Sequence, residues 1–191
     1  DILDRVKDAS EITSLNPADL LSMLDFKQDD LKIEALESFL AELRAIFWLR
    51  NFGFTNIVPV GAKKKTQPDS TAKHGDKTCA IEVFCLTQTH EQQKDQNFNV
   101  YVNFDPDCQG SKFGRDFISK AQDKKKQLDS AQMDRKILLC VVNSQPMINL
   151  NTKSGWEKHT KLLCEKLNWG NGYHVGILAS VSDTIFPKLD S

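Results

Sequence analysis

Asp69 and Glu82 are the residues of this chain whose types and spacing point most directly to chemistry. Between Pro68-Asp69 and Ile81-Glu82-Val83 runs Ser-Thr-Ala-Lys-His-Gly-Asp-Lys-Thr-Cys-Ala, the arms and tip of a β-hairpin. Gly75-Asp76 supplies a two-residue turn. With that loop His74 pairs with Lys77, and the numbers of paired residues sum to 151. Asp69 and Glu82 obey the same sum, so they are expected directly opposite one another, roughly 5 Å apart at Cβ. Two carboxylates that close repel each other and favour a cation between them. Oxygen donors alone suit Mg2+ or Mn2+. The plain alternative is a hairpin that carries one surface Asp and one surface Glu.

Composition sets outer limits. A chain of 191 residues, 40% of them hydrophobic, is expected to form one domain with a full core. A net charge of −1 excludes a uniformly basic nucleic-acid binder but allows local patches, such as Lys63-Lys64-Lys65 and Lys124-Lys125-Lys126. Five cysteines show no CxxC and no metal-ligand spacing. Cys79, Cys85 and Cys140 sit in apolar, strand-like runs and read as buried free thiols, which fits a reducing cytoplasm. No signal peptide and no apolar run near roughly 18 residues is present, so a membrane is not an expected partner. There is no Ser-His-Asp order, no Gly-rich phosphate loop and no zinc spacing. Trp48, Trp156 and Trp169 read as core or interface anchors, and His74 as a solvated hairpin tip.

The elements that must position the two acids are legible in outline. Residues 1–29 read as a helical N-terminal extension, with Asn16-Pro17 as cap and first position of a short helix. A long helix over about 30–51 carries Leu36, Phe39, Leu40, Leu43, Ile46 and Phe47 at helical spacing and stops at Gly53. Strands follow at 54–60, 67–73 and 78–86, with a short one expected at Val100–Phe104. Phe117, Ile118, Ala121 and Leu128 mark a helix over about 112–131. A strand over 136–143, a helix over 154–168 and a strand over 173–181 complete the order. The string predicts an α/β fold: a mixed sheet with a hairpin on one side and crossover helices on its faces.

This order, with Pro68-Asp69 on the second strand and Ile81-Glu82-Val83 on the third, resembles the PD-(D/E)xK nuclease superfamily and its restriction-endonuclease-like core. The resemblance covers about residues 30–181. Glu-Leu-Arg-Ala-Ile-Phe-Trp-Leu-Arg-Asn-Phe-Gly-Phe (42–54) resembles the first core helix, which carries an acid in many members. Lys-Ala-Gln-Asp-Lys-Lys-Lys-Gln-Leu (120–128) resembles the helix after the third strand, which often carries Lys and Gln near the site. The resemblance implies that Asp69 and Glu82 hold Mg2+ or Mn2+, with the Val83 carbonyl as a further ligand. It also implies a helix acid, for which Glu42 is preferred over Glu37.

One position departs from the family pattern. Two residues after Glu82 the family places a Lys, and here Phe84 stands. Positions 82 and 84 share a strand face, so that Lys would point into the acids' own pocket. Its charge would position the attacking water and offset charge building on the phosphate. Lys124 is the first candidate to replace it, because it flanks the stripe of Phe117, Ala121 and Leu128 and can extend along that face. Lys65, opposite Leu86 by the same pairing sum, is the second.

The leading expectation is a metal-dependent nuclease, most simply a DNA endonuclease, with RNA as the alternative substrate and a homodimer as a candidate assembly. Asp69, Glu82, Lys124 and Glu42 are its expected catalytic residues. Lys63, Lys64, Lys65, Lys112, Arg115, Lys120 and Gln127 are the expected contacts to nucleic acid. Phe84 favours a second reading, a nuclease-fold domain that binds nucleic acid or a protein partner without cutting. A carbohydrate- or nucleotide-binding α/β module is a third, and it requires the pairing of acids to be accidental.

Overall fold

The hairpin forms in the register its turn dictates. In the computed structural model, which describes residues 1–24, 26, 33–61, 67–86, 112–142, 161–179 and 185–186, β1 spans Thr55–Pro59, β2 Ser70–His74 and β3 Lys77–Leu86. Ser70 pairs with Ile81 and His74 with Lys77, so the sum of 151 holds along the ladder. Gly75 has φ 60 and Asp76 does not share a positive φ, the pattern of a type II′ turn. β4 (Arg135–Val142) and β5 (Tyr173–Ala179) lie parallel to β3, and the two-residue β6 (Ile185–Phe186), which sequence patterning did not suggest, runs antiparallel to β5. Among the described residues the sheet has six strands in chain order, antiparallel at both ends and parallel in the middle. Edge strand β1 carries a register shift next to Asn56, whose φ is 50, and ends at Pro59. Both features discourage further pairing at that edge.

Helices cover both faces. α1 is Ile2–Thr13, α2 Pro17–Met23 and α3 Ile33–Asn51. α4 is Lys112–Ser130, and a helix over 161–167, here α5, precedes β5. Asn16 caps α2 by accepting from the Asp19 N–H at 2.9 Å, and Pro17 opens the helix, as the sequence predicts. α3 is sandwiched between the sheet and α1, so it buries Phe39, Leu43, Ala45, Trp48 and Leu49 around much of its circumference. Leu36, expected on the buried stripe, is 40% exposed. Val6, Ala9, Leu20 and Leu24 from the first two helices share this core with Ile81, Val83 and Ile137. On the opposite face Phe117, Ala121 and Leu128 seat α4 against Ala80, Phe84 and Leu138, with Leu163 from α5 beside them. Burying one such Leu contributes about 1.5–3 kcal/mol. Alternation along β3 therefore sends odd positions toward α3 and even positions toward α4. The expected strand at 100–104 and Trp156 lie outside the described residues.

Candidate active site

The site follows from where β2 stops. β2 joins the sheet at Ser70, opposite Ile81, and beyond that point Val83–Leu86 pair only with β4 among the described residues. The sheet edge is notched there, with α3 on one face and α4 on the other. A cleft of about 430 Å3 opens into the notch. Ser38 and Glu42 line it from α3, Val83, Phe84 and Cys85 from β3, and Lys120, Asp123, Lys124 and Gln127 from α4.

Asp69 closes the inner end of the notch. Its main-chain carbonyl accepts from the Val60 N–H at 3.0 Å, which ties it to the end of β1. Its Oδ2 accepts from the Val83 N–H at 2.7 Å, in the place where a longer β2 would put a carbonyl. The N–H and C=O of one strand residue point to the same edge, so the Val83 carbonyl opens onto this notch too. At the next odd position, the Cys85 carbonyl accepts from Lys120 Nζ at 2.9 Å. Two side chains thus stand in for a missing strand.

Glu82 lies under the cleft on the α4 side and is 0% exposed. Lys124 reaches it from the helix. The ammonium is 2.6 Å from Glu82 Oε2 and 3.3 Å from Asp69 Oδ2. Both oxygens touch one nitrogen, so they are at most about 6 Å apart, and a small approach brings them within the roughly 4–5 Å that two ligands of one ion span. The contact with Glu82 is set by charge and not by alignment, and neither Glu82 oxygen has a well-aligned hydrogen bond. Leaving such a group buried is costly. Burial, and then the Asp69 charge, push the Glu82 carboxyl up to about 8 against the pull of Lys124. Burial works to lower the Lys124 ammonium, but the two acids outweigh it and the net shift is upward. Among the described residues no third His, Cys, Asp or Glu joins the pair to form a metal-ligand group of three.

Phe84 stands beside this triad on the same strand face. It is buried against Phe117, ring centroids 5.6 Å apart, and its ring forms an apolar wall of the cleft.

The structure brings together most of the residues singled out from sequence: Asp69, Glu82 and Lys124 in direct contact, with Glu42, Val83, Lys120 and Gln127 around the cleft. Arg115 is exposed near the start of α4 and does not line the cleft, and Lys112 is the first residue of that helix. Lys63, Lys64 and Lys65 lie outside the described residues. Lys125, one position from Lys124, turns away and pairs with Asp129 at 2.7 Å beside the Tyr173 ring. His74 is not a solvated tip: it stacks on Phe54 at 4.5 Å and meets Arg135 at 2.8 Å. Sequence reasoning missed the Lys120 bond to the Cys85 carbonyl, and no local pattern signals a contact 35 residues apart. Trp48 is a core anchor, as expected. Cys79 and Cys140 are buried, while Cys85 is half-buried, its thiol pushed up to about 12 chiefly by burial.

Comparison with protein-family models, curated proteins and solved structures produced no match to this chain.

Proposed function

We propose that the chain is a divalent-metal-dependent nuclease with a restriction-endonuclease-like core, which hydrolyses phosphodiester bonds, in DNA by preference. One observation carries the reading: a fully buried Glu82 beside Asp69, both in contact with a single Lys ammonium at the edge of an open cleft. A structural ion pair gains little from burial, because desolvating its charges offsets their attraction. Perturbed carboxyl groups in a cleft are instead typical of chemical sites.

The donor set fits a hard cation. Asp69, Glu82 and the Val83 carbonyl offer oxygen only, and Glu82 meets its one cation without a well-aligned hydrogen bond at either oxygen, which leaves its lone pairs suited to such an ion. When bound, Mg2+ or Mn2+ would supply an acidified water and polarise a phosphate oxygen. The chain's own groups supply the rest. Lys124 offsets negative charge on the phosphate, the role the family gives to the Lys that Phe84 replaces. Phe84 keeps that wall dry, which strengthens the charge interactions beside it. Lys120 and Gln127 line the approach and suit backbone phosphate, and Glu42 stands across the cleft from them.

Digestion of supercoiled plasmid with Mg2+, Mn2+ or EDTA tests this. Nicking is expected with either metal, none in EDTA, and a loss of about 100-fold or more in Glu82→Gln and Lys124→Ala. A wild-type chain inert with every divalent metal sinks the cutting reading.

Phe84 favours the second reading, a domain that keeps the fold and binds nucleic acid or a protein without cutting. Phe84→Lys separates the two. If Lys124 already serves, a further ammonium crowds it and does not help. If only this position was lost, weak Mg2+-dependent nicking appears.

A further inference from the structure

The site as it stands already contains a cation. The ammonium of Lys124 lies 2.6 Å from one acid and 3.3 Å from the other, in the space between them. A divalent ion held by both carboxylates needs that same space, because its ligands lie about 2.0–2.6 Å from it. The two cations cannot share it, since they repel strongly at such separations where water is scarce. Lys124 is about a quarter exposed. Its flexible stem lets the ammonium move while α4 stays seated by Phe117, Ala121 and Leu128, all fully buried.

We infer that Lys124 occupies the divalent-cation position of the substrate-free chain, and that the metal enters between Asp69 and Glu82 as a substrate phosphate draws the ammonium out into the cleft. This rests on the nuclease reading above and adds an order to it: metal and nucleic acid bind as a coupled pair. The cleft gives the displaced ammonium somewhere to go. Lys124 and Lys120 line it one helical turn apart, with Asp123 between them in the chain and Glu42 on α3, so a phosphodiester seated at the α4 rim meets two cations while the acids keep it to that side. The charges exchange partners between the two states. Without substrate, two acids face one ammonium. With substrate, two acids face the metal and the ammonium faces the phosphate. The coupling is reciprocal by linkage, so the metal must tighten nucleic-acid binding by the same factor that nucleic acid tightens metal binding.

Calorimetric titration of the full chain with MnCl2, alone and with a hydrolysis-resistant phosphorothioate duplex, reads the coupling without relying on activity. The duplex is expected to tighten Mn2+ binding at least about tenfold in the wild type, and Lys124→Met to lose most of that gain. Equal Mn2+ affinity with and without duplex overturns the inference, and so does a Lys124→Met chain with undiminished coupling. If the variant fails to fold, wild-type crystals decide. The anomalous signal of Mn2+ between Asp69 and Glu82 should appear in the duplex complex, with Lys124 Nζ on a phosphate oxygen. A strong signal in the substrate-free chain, with the acids' contacts to Lys124 broken by metal alone, overturns the inference and leaves the nuclease reading intact. Absence of Mn2+ from wild type under every condition removes both.

Discussion

Glu82 carries its carboxyl where water does not reach, and the consequence is a dependence of stability on pH. Its folded pKa, about 8, lies above the ordinary value of 4.5. Between those limits the folded chain holds a proton that the unfolded chain has released, so stability falls as pH rises through that window and levels off above about 8. The upward shift of Lys124 acts only at the alkaline end, beyond this window. Urea unfolding in EDTA should therefore show a decline of a few kcal/mol from about pH 5 to pH 8, and Glu82→Gln should flatten it. A wild-type profile already flat there would mean that Lys124 holds Glu82 ionised. The register of the hairpin was readable from sequence, because a two-residue turn fixes it, and so was the nearness of Asp69 to Glu82. The expected strand pair of the two was not met, since Asp69 lies in a bend just before β2 and the ladder ends at Ser70 and Ile81. That Glu82 would be the buried acid and Asp69 the one tied to Val83 was not readable. Depth under a helix is set by packing from residues 117–128, far along the chain.

At the scale of elements, α4 is the part that sets the Lys124 ammonium against Asp69 and Glu82. Phe117, Ala121 and Leu128 fall on one face by helical period and dock on the even positions of β3. The same period puts Lys120 and Lys124 along the rim and turns Lys125 to the Asp129 and Tyr173 side. Leu128→Ala should destabilise the chain by about 2–5 kcal/mol, measured by urea unfolding. It should reduce cleavage more than stability alone predicts, because Lys124 loses its fixed base. Stability near wild type would show that α4 is seated elsewhere. These features were legible because period and capping are local. The notch was not: it depends on where β2 begins relative to β3, and the strand expected over 67–73 begins only at Ser70, with bends at Gln67 and Asp69. β6, two residues long, carries too little pattern to find.

The molecule as a whole is tied together through α3. Leu20 from α2, Leu24 at its C-terminal cap, and Val6 and Ala9 from α1 share their core with the odd face of β3. Although patterning marked residues 1–29 as an extension, these four positions share one core with the sheet. Leu20, 0% exposed, offers a test. Leu20→Ala should cost about 2–5 kcal/mol. Hydrogen exchange should show the loss in β3 and β4 amides as fully as in α1, as one cooperative unit demands. Loss confined to α1 and α2 would make them a separable layer.

The edge of β3 has a last implication. A sheet with one more turn of β2 would have its backbone bonds satisfied by backbone, and the acids would be sealed behind it. This chain instead leaves that seam to Asp69 and Lys120, two side chains that can let go. Lengthening β2 through residues 67–69 would make a sturdier protein and a blind one. The weakness of the seam is the doorway.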